Sequence, residues 1–385
     1  MRKVIAISVV FALIAGAAFA QTSVSGSISV RGKLIEDTFN DVDNTAVTTG
    51  EVETAYVQLS GQNGEGTFGG LIRLRGEDGS GKFHRAFAWW RPIPQLKIFF
   101  GQDPDGMYCP YNAWSFTQGE ENYAHPHNWE NWRAGAGFLG NWEGFGLSFS
   151  IYPVQGLEVD ITVPFGSNGA GGKSVNFNDL FFGSLELAVV YGIPDIGKVF
   201  LNVQGPGEDI FNDVKNDNYG RIGLSFQLTA VEGIEVQLGF ATTIPGEVTD
   251  YPLNLGLIVN YTGDGFGVKF RSRVGINGTS GTDGTGIETG AGYGKSQNYV
   301  DGGFVVGIGV QPWINLGPVT AYLNIGFVSE NDGNDNTVSQ LYINPYIRMG
   351  FGGGSLRFGV LFEDPDLDAD KDAKISVPLI FGYSF

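Results

Sequence analysis

Ile375-Ser-Val-Pro-Leu-Ile-Phe-Gly-Tyr-Ser-Phe385 puts Ile375, Val377, Leu379, Phe381, Tyr383 and Phe385 at alternate positions, the last of them an aromatic at the end of the chain. Alternate side chains of a strand share one face, so this stretch carries an unbroken apolar face. The same period recurs upstream. Leu157, Val159, Ile161 and Val163 alternate with Glu158, Asp160 and Thr162, and Ile234, Val236, Leu238 and Phe240 alternate with Glu235, Gln237 and Gly239. Phe266, Val268 and Phe270 face away from Lys269, Arg271 and Arg273, and Val319, Ala321, Leu323, Ile325 and Phe327 face away from Thr320, Tyr322, Asn324 and Gly326. An apolar face on strand after strand calls for lipid as its neighbour, with the polar face turned inward. A sustained helical period is found nowhere in residues 21–385.

The N-terminal stretch is of a different kind. Arg2 and Lys3 precede an apolar run from Val4 to Gly16, and Ala18-Phe-Ala20 supplies small residues around a cleavage point, the pattern of an export signal at 1–20. Loss of Arg2 and Lys3 takes the basic count from 23 to 21 against 41 acidic residues, a mature net charge of −20. That acidity argues against a nucleic-acid partner, because phosphate binding needs a basic surface. No later stretch has the run of about 18 apolar residues that a membrane helix requires, so a membrane is crossed by strands. The 60 Gly suit tight turns, and the 29 Phe, 15 Tyr and 7 Trp suit interfacial girdles.

Connections alternate in kind. Short turns are expected at 91–95, 153–156, 193–197, 230–233 and 311–317, and long polar segments at 38–50, 103–131, 166–182, 206–218, 277–301, 329–337 and 364–373. The first set is assigned to the periplasm and the second to the cell exterior. The fold expected is all-β: a transmembrane antiparallel β-barrel of about 18 strands, with about 16 the next count, since single-chain barrels have an even number. The parity turns on 132–153, which reads as one long strand or two short ones. The barrel occupies 21–385 as one domain.

The C-terminal strand resembles the closing strand of bacterial outer-membrane β-barrels, which end on Phe with an aromatic two residues earlier. The resemblance implies that barrel assembly machinery reads Phe381, Tyr383 and Phe385 as an assembly signal, and that the chain is integral to the outer membrane of a diderm bacterium. Over its mature length the chain resembles porins by pattern, not by a specific motif, and its turn style resembles that of spirochaete porins. In porins a long early extracellular loop folds inward as a constriction, and 103–131 matches by position and length. Asp105, Tyr108, Tyr111, Trp114, Phe116, Glu120 and Glu121 are its candidate constriction residues. So many aromatics call for a wall to pack on, which leaves an inward eyelet, an outward contact with a neighbouring subunit and a self-packed cap open.

A barrel of this size encloses more space than strand side chains fill, so a water-filled channel for ions and small polar solutes is the expected function. The alternation assigns Arg73, Arg75, Lys97, Lys269, Arg271, Arg273, Arg348 and Arg357 to the lumen as basic residues, and Glu158, Asp160, Glu186 and Glu235 as acidic ones. Arg85 is ambiguous, because its strand has aromatics on both sides. Early and late strands meet at closure, so the basic set is expected on one wall and the acidic set on the other, with a transverse field between them. A saccharide-selective channel is one alternative, and an adhesin or receptor barrel with a closed lumen is another. A transporter of hydrophobic solutes ranks below both, because Gln21 to Arg31 leads almost straight into a strand and leaves no residues for a plug.

Cofactors and catalysis have little support. Cys109 has no cysteine partner, and His125-Pro-His127 has metal-compatible spacing without an accompanying acid motif. The alternating acids Asp364, Asp366, Asp368, Asp370 and Asp372 would suit calcium, but neither register supplies an EF-hand's glycine and glutamate. No serine, histidine and acid share a rim, so the chain reads as a non-enzyme. The expected partners are outer-membrane lipid, the assembly machinery and small polar solutes, with a homotrimer open as the assembled state.

Overall fold

The computed structural model describes residues 21–38, 49–77, 80–102, 145–165, 186–204, 220–244, 253–278, 299–331, 337–364, 367 and 373–385. The expected export signal at 1–20, the segment 103–131 with Cys109, His125 and His127, and most of 364–372 lie outside them.

The strands are β1 (Gln21–Thr38), β2 (Thr49–Gln62), β3 (Phe68–Glu77), β4 (Ser80–Ile93), β5 (Leu96–Gln102) and β6 (Phe145–Ile151). They continue as β7 (Leu157–Phe165), β8 (Glu186–Ile193), β9 (Gly197–Gln204), β10 (Gly220–Val231), β11 (Ile234–Ile244) and β12 (Leu253–Thr262). The last are β13 (Phe266–Gly278), β14 (Tyr299–Asn315), β15 (Val319–Asn331), β16 (Thr337–Phe351), β17 (Gly354–Gly359 with Leu361–Asp364) and β18 (Lys374–Ser384). Each pairs antiparallel with its sequence neighbours, and β18 returns to β1 with Phe381 opposite Val30 and Tyr383 opposite Ile28. The result is a closed antiparallel barrel of 18 strands. The parity question at 132–153 is resolved by β6, which pairs with both β5 and β7.

β17 is one strand interrupted at Val360, and its two halves keep a single register against β16 and β18. The cause lies next door. In that register Val360 faces Pro345, which has no N–H to give to the Val360 carbonyl. The Val360 N–H still reaches the Pro345 carbonyl at 3.0 Å, and the buried Asn344 amide donates to the Val360 carbonyl at 2.8 Å in the proline's stead. Asn344→Leu keeps the volume and removes this donor, so it should cost about 1–3 kcal/mol through a stranded carbonyl. A lowered urea midpoint of the barrel in lipid vesicles checks this, and an unchanged midpoint refutes it.

The two faces separate as the alternation predicts. Trp90 is 53% exposed and Phe100 54%, while Phe99 between them in alternation is 6% exposed. Val24, Ile28, Val30, Val57, Leu59, Leu224, Leu238, Leu255, Ile308 and Ile347 extend the exposed apolar band around the barrel, which is the surface lipid covers. One rim holds tight turns, including that at Glu232–Gly233 closed by Gly233 with φ 74°. The other holds the longer connections, apart from a short link between Glu77 and Ser80. Two expected turns are tighter than the sequence suggests: β4 runs to Ile93 and β14 to Asn315, with Pro92 and Pro312 kept inside strand ends. Ends of strands tolerate the missing donor, which is why proline misplaced these boundaries.

Candidate functional site

The lumen is lined by the face opposite the apolar band. Cross-strand register puts Arg73 opposite Gln58 on β2 and Arg85 on β4, and Arg75 opposite Tyr56 and Lys82. A register shift beside Arg73 changes the phase of β4 there, which is why Arg85 was ambiguous in the sequence. Arg73 donates its Nε and Nη2 to Gln58 Oε1 at 2.8 and 2.5 Å, and its guanidinium lies 4.6 Å from the Tyr56 ring. On β5 the Lys97 ammonium is 4.6 Å from the Trp89 ring and 4.4 Å from the Phe99 ring, and Arg91 lies 5.8 Å from the Tyr152 ring. These cations are therefore held against aromatic faces on one stretch of wall from β2 to β6.

The acids follow. Asp160 is buried opposite Ser150 and Ala188, Glu158 stands opposite Val190, and Glu186 occupies the position opposite Thr162 and Gln204. In the turn beyond β6, burial first and then the Glu158 carboxylate raise the Tyr152 pKa above that of an ordinary phenol, so it stays protonated. Glu235 is held by amides from three strands: Gln227 donates to its Oε1 at 2.6 Å, Gln237 donates to the same oxygen, and Asn260 donates to Oε2 at 3.3 Å. Lys269 is opposite Asn260 and Gln311, Arg271 is fully buried opposite Ile258 and Gly309, and Arg273 takes the position opposite Gly256 and Gly307.

Arg348 and Arg357 face each other across β16 and β17. The half-buried members of the lumen face, among them Arg73, Lys97, Glu158, Glu235, Lys269 and Arg348, are those a solute can reach.

No protein-family model and no curated protein matches the sequence. Solved structures match along nearly its whole length. OccK10 (OpdN) of Pseudomonas aeruginosa superposes with a TM-score of 0.55 at 12% identity, covering 94% of this chain and 99% of its own. OccAB4 of Acinetobacter baumannii gives 0.54 at 9% identity, covering 95% and 99%. A loop L8 deletion mutant of OmpT, an outer membrane protein of Vibrio cholerae, gives 0.52 at 10% identity, covering 95% and 99%. The fold is that of an outer-membrane β-barrel. At such identities the likeness carries the fold alone, while the closed ring with its exposed apolar band makes the protein an integral one of the outer membrane. These three structures are not from spirochaetes, so the spirochaete likeness rests on turn style only.

In this outer-membrane barrel the expected two-wall separation of charge does not hold. The ring separates β13, with its three basic positions, from β3 by eight strands one way and ten the other. Early and late strands do meet at the seam, but β13 is too far from it to share a wall with Arg73. What the ring does oppose is narrower: β7 and β8, carrying Glu158, Asp160 and Glu186, lie nine strands from β16 and β17, carrying Arg348 and Arg357. Glu158 and Asp160 sit near the tight-turn rim, beside the start of β7, as do Arg348 and Arg357, each three residues from the turn between Phe351 and Gly354, whereas Glu186 opens β8 at the opposite end.

The candidate constriction residues Asp105, Tyr108, Tyr111, Trp114, Phe116, Glu120 and Glu121 lie outside the described residues. Phe381 and Tyr383, 39% and 40% exposed, belong to the apolar outer face, and Phe385 closes the seam by exchanging backbone hydrogen bonds with Gly26 at 2.9 and 3.0 Å. Sequence reasoning passed over Arg91, Lys198, Trp313 and Tyr346 on the lumen side. Trp313 was hidden by reading 311–317 as a turn, although its place two residues after Gln311 was a usable signal.

Proposed function

We propose that the chain is a passive, water-filled outer-membrane channel for ions and small polar solutes. The observation that carries this reading is the lumen face itself: an 18-strand ring presents half-buried charged side chains on β3, β5, β7, β11, β13 and β16. Rings of 16 to 18 strands leave an aqueous passage in the centre, and charged groups are tolerated on a wall that water reaches. No energy source or cofactor is needed for passage down a gradient.

The finer reading follows from the ring order. The acids Glu158 and Asp160 and the arginines Arg348 and Arg357 set up a transverse field near the periplasmic mouth, which favours polar solutes over apolar ones, and Glu186 adds its charge toward the outer end of β8. Arg73 and Lys97 line the approach on one side and Lys269 lines it on β13, with Arg75 and Arg273 at lumen-face positions of β3 and β13 and Arg271 buried within the wall. Residues 103–131 are assigned the constriction, 1–20 export, and Phe381, Tyr383 and Phe385 recognition by the assembly machinery. Liposome swelling tests the passage of neutral solutes. Vesicles carrying the refolded barrel should swell in arabinose or glycine faster than protein-free vesicles, and equal rates would contradict the proposal.

A further inference from the structure

One rung of the ladder crosses five strands on the lumen face. Gly267 on β13 is opposite Trp313 on β14, Trp313 is opposite Tyr322 on β15, Tyr322 is opposite Tyr346 on β16, and Tyr346 is opposite Gly359 on β17. Glycine at each end makes room for the rings. A Cβ at Gly267 would stand 2.6 and 2.7 Å from the Trp313 indole, so the indole lies over bare backbone. A Cβ at Gly359 would stand 2.5 Å from Tyr346 Cβ. Tyr322 and Tyr346 stack with centroids 4.6 Å apart and planes 4° from parallel. At about 4.8 Å per strand the row from Trp313 to Tyr346 is about 10 Å long.

Girdle aromatics face lipid, whereas these face the lumen, so the membrane interface does not account for them. Their polar neighbours are of two kinds. Towards the periplasm the next rung holds Thr320, Arg348 and Arg357. On the other side lie Lys269, Gln311, Asn324 and Asn344, with Gln311 donating to Asn324 at 2.7 Å and to the Tyr346 hydroxyl at 3.3 Å. Gln311, Asn324 and Tyr346 are buried and fix the row, while Trp313 and Tyr322 are half-buried and keep ring surface open.

Resting on the channel reading above, we infer that this row is a saccharide subsite at the periplasmic mouth. A pyranose ring has a flat C–H face that stacks on an aromatic face and a rim of hydroxyls that needs planar donors and acceptors. The row supplies the first through Trp313 and Tyr322, and the flanking rungs supply the second through the half-buried Arg348, Thr320 and Lys269, while the buried amides hold the rings in place. A purely apolar solute would leave those polar rims unmatched. A small anion would have no use for a stacked tyrosine pair with an indole on the neighbouring strand.

The test is single-channel recording of the refolded barrel with maltohexaose or cellohexaose added to one side at a time. Sugar should interrupt the current reversibly, more often from the periplasmic side. Trp313→Ala and Tyr322→Ala should each weaken the block by about tenfold, the worth of one aromatic stacking contact, without lowering open-channel conductance. Tyr322→Phe should retain the block, and Trp90→Ala, on the lipid face, should leave it unchanged. Open channels that no sugar interrupts, or a block that survives both alanine variants, would overturn the subsite and leave the channel standing. Block by benzoate with sugars silent would assign the row to aromatic anions and overturn it equally. A folded barrel that does not conduct would remove the channel reading and this inference with it.

Discussion

Replacing Arg348 and Arg357 together by glutamate is expected to move the channel's preference decisively toward cations. Both arginines lie on the lumen face near the tight-turn rim, and the strands that carry them stand nine places from those that carry Glu158, Asp160 and Glu186. With the substitutions, the two arginine positions would join Glu158 and Asp160 as four acidic positions near that rim, and the transverse field would be replaced by charge of one sign. A unit charge about 4 Å from a passing ion in water is worth about 1 kcal/mol, or roughly fivefold in partition per charge. Reversal potentials in a salt gradient read the change directly, and added salt should shrink it by screening. A reversal potential that does not move would take both arginines off the permeation path. Lys269→Ala, farther around the ring, should shift the preference in the same direction by a smaller amount.

The largest expected loss of stability comes from Gly26→Val. Gly26 is on β1 where the last residue closes the ring: its N–H bonds the Phe385 carbonyl at 2.9 Å, and the Phe385 N–H returns to its carbonyl at 3.0 Å. The phenyl ring of Phe385 lies over the glycine, and a Cβ there would overlap the tip of the ring and stand 2.8 Å from the Tyr56 carbonyl. The carbonyl belongs to the β1–β2 ladder and cannot withdraw without opening it, so the ring must leave its seat. Overpacking of this kind costs about 1–3 kcal/mol or more, and it falls on the one pairing that converts an open sheet into a barrel. Val24→Ala, on the lipid side of the same strand and 62% exposed, should change far less. The fraction of heat-modifiable, compact barrel after refolding into vesicles measures the difference. Equal yields for the glycine and valine proteins would show that the seam does not depend on this contact.

What the sequence made legible was whatever depends on local alternation. The face shared by Ile375, Val377, Leu379, Phe381, Tyr383 and Phe385 is the outer face of β18, and the polar alternates of β7, β11 and β13 lie on the inner one. A period of two needs only neighbours to declare itself. Features set by long-range register were not legible. The break at Val360 depends on Pro345, fifteen residues away and opposite only once β16 and β17 pair. The shift beside Arg73 left the face of Arg85 open. The Glu235 carboxylate gathers amides from β10, β11 and β12, and nothing in the sequence ties Gln227 to Asn260 before the strands are aligned. Charge opposition depends on the closed count of strands, which is why a two-wall guess put β13 on the wrong side. The Trp313 row was hidden for the same reason, since its members come from three strands and one of them was taken for a turn.

The most direct test of a passive channel is single-channel conductance of the refolded barrel in a planar bilayer under a salt gradient, without added sugar. Stepwise openings of uniform size with a non-zero reversal potential that responds to Arg348 and Arg357 are the predicted result. A correctly folded, heat-modifiable barrel that inserts and stays silent would contradict it.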